Sequence, residues 1–557
     1  MDHFLALWAA TSFIPSIFFL TISLFLLCTA IPISTFIVTT VRYRVSLRAH
    51  LRTTSKSSSL LPPTIPYLIP ILGSALSFLA PYPGVFWRKL FATHPRETGA
   101  CTLQLGGQTT HVLFDQTAVS AFFKARGLER DRFNIQLTSN GLGANIHDVH
   151  KFWGQGETRR EAREKQEAIV QRYIMRTDRV TELSDTFLQT IRRELHDTGK
   201  DRNEACDVGI ATWIRSRMFT ASVRTLMGDR LFDVYPEIVD DWSGYDEAIM
   251  SLFCGIPRFI IPDKYAARAK ILHGLTRYHR AAWDECKGMI PEPDGVSWEP
   301  LYGSRYNRAR QLYYQEQEMS VQGKAAMDGG TMFGLASNPP PAVGWALIHI
   351  FNPKGDSTLY PRLMQELSSA QKDDSSLDCR LLFGLPLLQS VLHEVLRLYA
   401  DTLVVRDMHE DLTLPLGGGK KHIFLPNSTT VMAPSWVAQH DESWAKEGVP
   451  ADRFYAERFL KKDSDSGKET FSLADSNGRF FPFGGGRDIC PGRVFAKQIM
   501  MIGIATVLVE FQINPLCFIN SEGQGCNEFP QFGREYAGAG VVRLDGDLKV
   551  RLERPKR

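Results

Sequence analysis

From Phe4 to Val41 no side chain carries a charge, and the run reads FLALWAATSFIPSIFFLTISLFLLCTAIPISTFIVTTV. A secretory signal has an apolar core of only about 7–15 residues. About 20 apolar residues span a bilayer, so the pattern predicts one membrane helix over roughly 16–38. Pro15 and Pro32 are places where it would kink, and no polar turn divides the run into two spans. Arg42, Arg44, Arg48, Arg52 and Lys56 follow at once. Positive charge beside a span marks the cytoplasmic side, which places the rest of the chain there. Next comes LLPPTIPYLIPILG, with Pro62, Pro63, Pro66 and Pro70. Proline fixes its own φ and restricts the residue before it, so the segment is extended and semi-rigid. It is either a spacer that orients a body against the membrane or a plain linker.

Beyond it the apolar positions recur with helical spacing, mainly between 155 and 400. REAREKQEAIVQRYIM, RVTELSDTFLQTIRREL, ATWIRSRMFTASVRTLM, PPAVGWALIHIF and LPLLQSVLHEVLRLYA all read as helices. Short strand-like runs stand near 100–114, 402–414 and 541–553. The fold class is therefore mainly α with small β-sheets (α+β), in one large domain. MSLFCGIPRFIIP, 250–262, is apolar but broken by Gly255 and Pro257. It is either a loop that dips toward a membrane or a substrate entrance, or a buried core loop.

Composition narrows the picture. The chain has 557 residues, 44% hydrophobic and 22% charged, with a net charge of +3. That is a globular composition without the field of a nucleic-acid binder. The nine cysteines are scattered, and no Cys-x-x-Cys occurs. Neither a disulfide framework nor a structural zinc site is indicated.

One cysteine has unusual surroundings. GRFFPFGGGRDICPGRVFA places Gly484, Gly485 and Gly486 ahead of Cys490, with Pro491 and Gly492 behind. The thiolate is the form that binds metal or attacks, and backbone N–H groups stabilise it. PGRVFAKQIMMIGIATVLVEF reads as a long buried helix with Pro491 in its first turn, which puts Cys490 at the positive end of the dipole. The glycines permit a tight turn and close approach of the backbone to a flat ligand. A structural cysteine, a phosphate-binding glycine loop and a metal thiolate are the competing readings. No Gly-Lys-Ser/Thr follows, which disfavours the phosphate loop.

Motifs at other positions favour the thiolate. Phe483, Gly486, Cys490 and Gly492 match Phe-x-x-Gly-x-x-x-Cys-x-Gly. Glu394 and Arg397 stand i and i+3 on a helix whose apolar stripe is Leu388, Val391, Val395 and Leu398. WVAQHDESWAKEGVPADRFYAERFL lies between the two, with Arg458 near its end. In this order the motifs resemble the cytochrome P-450 family. The resemblance implies that fold, with residues 1–41 as membrane anchor, 42–70 as basic and proline-rich hinge and 71–557 as haem domain. It implies haem b with the thiolate of Cys490 as axial iron ligand, and a Glu394–Arg397–Arg458 network locking the core. Ala456 replaces the family's usual proline.

Two departures stand out. Asp488 occupies a position where the family often has Arg or His donating to a haem propionate, and an ionised Asp cannot donate. The resemblance passes that role to Arg487 or to Arg406 in TLVVRDM, where the alternative for Arg406 is pairing with Asp407 or Glu410. The oxygen-activating helix, usually Ala/Gly-Gly-x-Asp/Glu-Thr-Thr, is best matched by FGLASNPPPAVGW, with Ser337 at the acid position and Asn338 at the threonine position. Asn338-x-x-Pro341-Ala342-x-x-Trp345 is similar to the branch holding cholesterol 7-alpha-hydroxylase, sterol 12-alpha-hydroxylase and prostacyclin synthase. An amide donates a hydrogen bond but does not shuttle protons as a hydroxyl does. The alternative for Asn338 is satisfying backbone groups freed at a kink made by three prolines.

What the resemblance implies is an endoplasmic reticulum monooxygenase with one membrane span and a cytoplasmic catalytic domain. It would oxidise a bulky lipophilic molecule such as a sterol or terpenoid. Electrons come from NADPH-cytochrome P-450 reductase, with cytochrome b5 as a second candidate, and Arg487, Arg493 and Lys497 are candidate docking charges. The alternatives are an isomerase or dehydrase acting on a peroxide without external electrons, and a haem sensor without turnover.

Overall fold

A computed structural model describes residues 29–52, 59–80, 82–196, 205–372, 376–419, 421–463, 465, 467–474 and 476–555. The first part of the expected membrane helix, 16–28, lies outside the described residues. Residues 29–52 are helical and expose Ile33, Phe36, Ile37, Val41 and Val45. Among the described residues no helix is long and apolar enough to cross a membrane.

The chain forms two compact units. The smaller takes the chain up to Ala80, Gly84–Glu129 and Leu403–Pro434; the larger takes Pro81–Pro83, Arg130–Thr402 and Ser435 onward. In the smaller unit a five-stranded sheet runs in the order Ala100–Leu105, Gln108–Leu113, Thr430–Pro434, Leu403–Met408, Leu128–Glu129. Gly106 and Gly107 both have positive φ, 60° and 83°. That conformation closes the first hairpin in two residues and is open to glycine at little cost. Helix Gln116–Lys124 starts at Asp115, whose side chain accepts the Ala118 N–H at 2.9 Å. Thr39 Oγ1 meets the backbone of Tyr67, so the helix over 29–52 is pinned to the proline-rich segment.

The larger unit is helical. Its core helices are Thr177–His196, Ile210–Met227, Ile238–Phe253, Pro262–Glu285, Val321–Ala336, Pro339–Ile350, Pro386–Tyr399 and Arg493–Glu510. Small residues let them approach. A Cβ on Gly344 would stand 2.9 Å from that of Ala211, and one on Gly503 would stand 2.7 Å from Met218 Sδ. A four-stranded sheet, Gly525–Cys526, Gln512–Ile519, Asp547–Glu553 and Cys206–Gly209, packs at one end. Asp547 in that sheet caps helix Ile210–Met227, accepting the N–H groups of Ala211 and Thr212 at 2.9 Å each.

The structure corrects one sequence expectation and refines two others. The helix after Cys490 begins at Arg493, with Gly492 as N-cap, so Pro491 precedes it and does not sit in its first turn. The proline-rich helix is broken at Ser337 and Asn338, and Pro339, Pro340 and Pro341 fill the first turn of the next helix, where missing N–H groups cost nothing. In the 250–262 segment Phe259 is 84% and Ile260 59% exposed, which removes the buried-core alternative.

Candidate active site

The core of the larger unit holds three charged side chains cut off from solvent. Glu394 and Arg397 share one turn of helix Pro386–Tyr399 and are fully buried. Arg397 donates from Nε and Nη2 to the two Glu394 oxygens at 2.8 and 2.9 Å. Arg458 Nε donates to Glu394 Oε1 at 2.8 Å, and the Tyr455 N–H reaches the same oxygen at 3.1 Å. Two guanidiniums against one carboxylate leave surplus positive charge, and backbone carbonyls absorb it. Arg397 donates to the Gln439 carbonyl at 2.8 Å, and Arg458 to those of Trp444, Pro450 and Arg453.

Gln439 links this network to the cysteine loop. Its Nε2 donates to the carbonyls of Leu396, Arg397 and Ala400 at 3.1–3.2 Å, while its Oε1 accepts the Phe481 N–H at 3.3 Å. Thr402 Oγ1 makes a parallel link to the Pro482 carbonyl at 2.8 Å. The loop then turns on Gly484 and Gly486, both left-handed at φ 75° and 72°. The Cys490 N–H closes it onto the Phe483 carbonyl at 2.9 Å.

Cys490 is free and keeps some accessible surface. Burial pushes its thiol up, opposed by the Gly492 N–H and by the positive charges of Arg493 and Arg130. Arg130 has ample free surface, yet desolvation pushes its guanidinium down, opposed by Asp488 and Cys490. Gly334 shows open space on the helix ahead of Ser337: it is exposed, and a Cβ there would meet nothing within 4 Å. A sulfur backed by an N–H and two cations suits a flat ligand with a metal cation at its centre, because a cation removes the thiol proton. The residues present fit haem.

The remaining candidates are placed as follows. Asp488 Oδ1 accepts from Arg163 Nη2 at 3.0 Å, and Arg487 turns outward, 67% exposed, to Glu167 at 3.4 Å. Arg493 Nη1 donates to the Cys490 carbonyl at 3.1 Å, and burial pushes the Lys497 ammonium down. Arg406 lies in the smaller unit on strand Leu403–Met408, buried, with Nη1 on the Val405 carbonyl at 2.8 Å. Asn338 Oδ1 accepts the Val541 N–H at 2.7 Å, so its partner is the strand Gly540–Val541 and not the backbone freed at the kink. Ser337 Oγ donates to the buried Asp246.

Sequence reading passed over Arg130, Arg163, Gln439 and Asp246. Arg163 and Glu167 were visible only as an i, i+4 surface pair on a highly charged helix. For Arg130, Gln439 and Asp246 no local pattern exists, since each acts on a segment far away in the chain.

The family model for cytochrome P450 matches residues 62–518. Cytochrome P450 monooxygenase calL of Penicillium decumbens is 29% identical, over 83% of this chain and 88% of its own length. Cytochrome P450 monooxygenase efuG of Hormonema carpetanum is 26% identical, over 88% of this chain and 90% of its own. Cytochrome P450 7A1 of Rattus norvegicus is 23% identical, over 88% and 93% respectively. The cysteine loop, the buried Glu394–Arg397 pair and this family match lead to one conclusion: the chain belongs to the cytochrome P450 family of haem-thiolate monooxygenases.

Proposed function

We propose that the protein oxidises a bulky lipophilic substrate, a sterol, a terpenoid or another specialised metabolite, with dioxygen and electrons passed from NADPH by a flavoprotein reductase. The observation that carries this reading is Cys490: a free, partly exposed sulfur at the end of the glycine loop, backed by the Gly492 N–H and by Arg493 and Arg130. Haem held there supplies dioxygen activation, and a thiolate ligand favours O–O cleavage. Phe483, Gly486 and Gly492 shape the loop that would hold the ring. Arg130 is the cation proposed to meet its carboxylates, while Arg163 neutralises Asp488 and frees the loop from that negative charge. Arg487 is the exposed cation on the cysteine side and suits an acidic electron donor.

The lipophilic assignment draws on the uncharged run from Phe4 to Val41, which we assign as an anchor in the endoplasmic reticulum membrane. It also draws on the fungal relatives, which are named monooxygenases. The test is the spectrum of the reduced protein under carbon monoxide. A strongly red-shifted Soret band is expected, and Cys490→Ala is expected to abolish it. A Cys490→Ala protein that retains both pigment and activity overturns the reading.

Asn338 favours a second reading. Its carbonyl oxygen accepts the Val541 N–H, and its amide has no hydroxyl proton to shuttle. Such a site suits an isomerase that rearranges a peroxide without external electrons. Turnover of a lipid peroxide in the absence of NADPH and reductase would select it.

A further inference from the structure

Tyr399 closes helix Pro386–Tyr399, two residues after Arg397, and is buried. Its ring stacks on that of Trp345, with centroids 3.8 Å apart and planes 8° from parallel. Its hydroxyl stands 2.6 Å from Nε2 of His349, one turn beyond Trp345 on helix Pro339–Ile350. The hydroxyl donates when His349 carries its own proton on Nδ1. Burial pushes the His349 ring down and the Tyr399 phenol up, so at rest the ring is neutral and the phenol keeps its proton. A phenol stacked on an indole, with a base aligned on the phenol proton, has the parts of a one-electron donor: the electron leaves the rings and the proton has a place to go. The cluster also has an inner and an outer side. Inward, the next residue, Ala400, offers its carbonyl to Gln439 Nε2 at 3.1 Å, and Gln439 Oε1 accepts the N–H of Phe481, in the segment that leads into the cysteine loop, at 3.3 Å. Outward, Phe532 is 37% exposed, and its ring lies 6.0 Å from Tyr399 and 6.3 Å from Trp345. A single ring stands between the pair and solvent.

We infer that Tyr399 and His349 form an electron-and-proton relay between the haem site and the Phe532 surface, which gives the protein a peroxidase activity toward organic hydroperoxides. The inference rests on haem at Cys490 and not on the choice between monooxygenase and isomerase. Cleaving a hydroperoxide to an alcohol and water takes two electrons and two protons. Tyr399 passes one electron inward, its O–H bond breaks, and the proton moves to His349 Nε2. A tyrosyl radical is left beside an imidazolium. A hydrogen-atom donor such as ascorbate, at the Phe532 rim, returns the electron, and His349 returns the proton to the phenol oxygen. The donor's own proton goes to solvent, and the protons used in the cleavage come from solvent. Two such passes complete the reaction: one hydroperoxide and two hydrogen-atom donors give an alcohol, water and two donor radicals. The resting shifts of the two groups suit this order. The phenol gives up its proton to so weak a base only once it has lost an electron, so the relay is silent until an oxidant forms.

The experiment mixes the full-length haem-loaded protein, without reductase or NADPH, with cumene hydroperoxide, freezes it at once and records its electron paramagnetic resonance. The expected result is a radical signal that narrows when the protein is made with ring-deuterated tyrosine. In heavy water the signal shows coupling to one exchangeable deuteron, the one that His349 holds against the phenol oxygen. Tyr399→Phe keeps the ring and its stacking and is expected to lose the signal. His349→Gln, which accepts a hydrogen bond but takes up no proton, is expected to weaken it severalfold. With ascorbate present, donor oxidation is expected to fall severalfold in Tyr399→Phe while bleaching of the haem speeds up. A wild-type protein without a tyrosyl signal, or a Tyr399→Phe protein with an unchanged one, overturns the inference. If Tyr399→Phe fails to take up haem, the wild-type spectrum in heavy water decides, and a tyrosyl signal without the exchangeable coupling overturns it. Failure of the haem-thiolate reading shows earlier and differently, as a wild-type protein without the red-shifted Soret band under carbon monoxide.

Discussion

At the scale of single residues, Glu394 is a buried carboxylate shared by two guanidiniums. Its two oxygens accept from two guanidiniums and a backbone N–H, with no water available to replace any of them. Removing one partner of a buried charge pair costs about 3–5 kcal/mol, because the other charge stays buried and unpaired. Glu394→Gln would leave two buried cations facing a neutral amide. The expected outcome is a protein purified with much less haem and a melting temperature lowered by several degrees. Haem content and thermal unfolding check it, and an unchanged melting temperature would mean that the carbonyls of Gln439, Trp444, Pro450 and Arg453 hold the cations unaided. Residues of this kind were legible in sequence only in part. Glu394 and Arg397 follow an i, i+3 pattern, and only the family resemblance joins Arg458 to them. Gln439 does not, because it works by bridging Ala400 to Phe481 across separate segments.

At the scale of elements, the cysteine loop depends on two left-handed glycines. An L-residue in that conformation costs about 1–2 kcal/mol. Gly486 at φ 72° also offers its carbonyl to the Ile489 N–H at 3.2 Å, one residue before the sulfur. Gly486→Ala is expected to leave the helical circular dichroism unchanged while weakening haem retention. Competition for haem by apomyoglobin measures this, and equal retention would place the loop's rigidity elsewhere. The helices that could be read from sequence, such as Ile210–Met227 and Pro386–Tyr399, bury most of their length and carry dense apolar repeats. Pro262–Glu285 was not read. Its buried stripe is only Ile271, Gly274, Leu275, Tyr278, His279 and Ala282, set among many exposed charges. The start of the Arg493–Glu510 helix was placed two residues early because proline favours a first turn, whereas here Pro491 belongs to the turn before it. The break at Ser337 and Asn338 was readable, since three prolines in a row cannot continue a helix. What Ser337 and Asn338 bond to was not readable, because Asp246 and Val541 come from distant segments.

At the scale of the whole molecule, buried histidines set the response to acid. His94, His111 and His393 are 1–3% exposed, and burial pushes them down to about 4, 4 and 3. Their described partners are hydroxyls and a carbonyl: Tyr43 and Thr98 for His94, Thr102 for His111, and the Gln389 carbonyl for His393. A neutral ring is satisfied there, and a protonated one would gain no carboxylate among these partners. His349 and His440 are shifted the same way. In the unfolded chain each ring titrates near 6.5, so between that value and the folded one the unfolded state binds more protons. Stability is then complete above about pH 6.5 and falls as the pH drops toward 4. Between pH 7 and 5 each of the three buried rings removes about 2 kcal/mol. Asp401 acts oppositely, since burial pushes it up to about 7 and its folded form prefers the proton in the same window. One carboxyl offsets roughly one ring, so the histidines prevail. The thermal midpoint of the haem-loaded protein is expected to hold between pH 7 and 8 and to fall steeply from 6.5 to 5, and His393→Phe is expected to flatten that slope. A midpoint that stays level down to pH 5 would mean that water reaches these rings in the folded protein and that the core around His393 is more open than its packing against Phe471 and Phe480 implies.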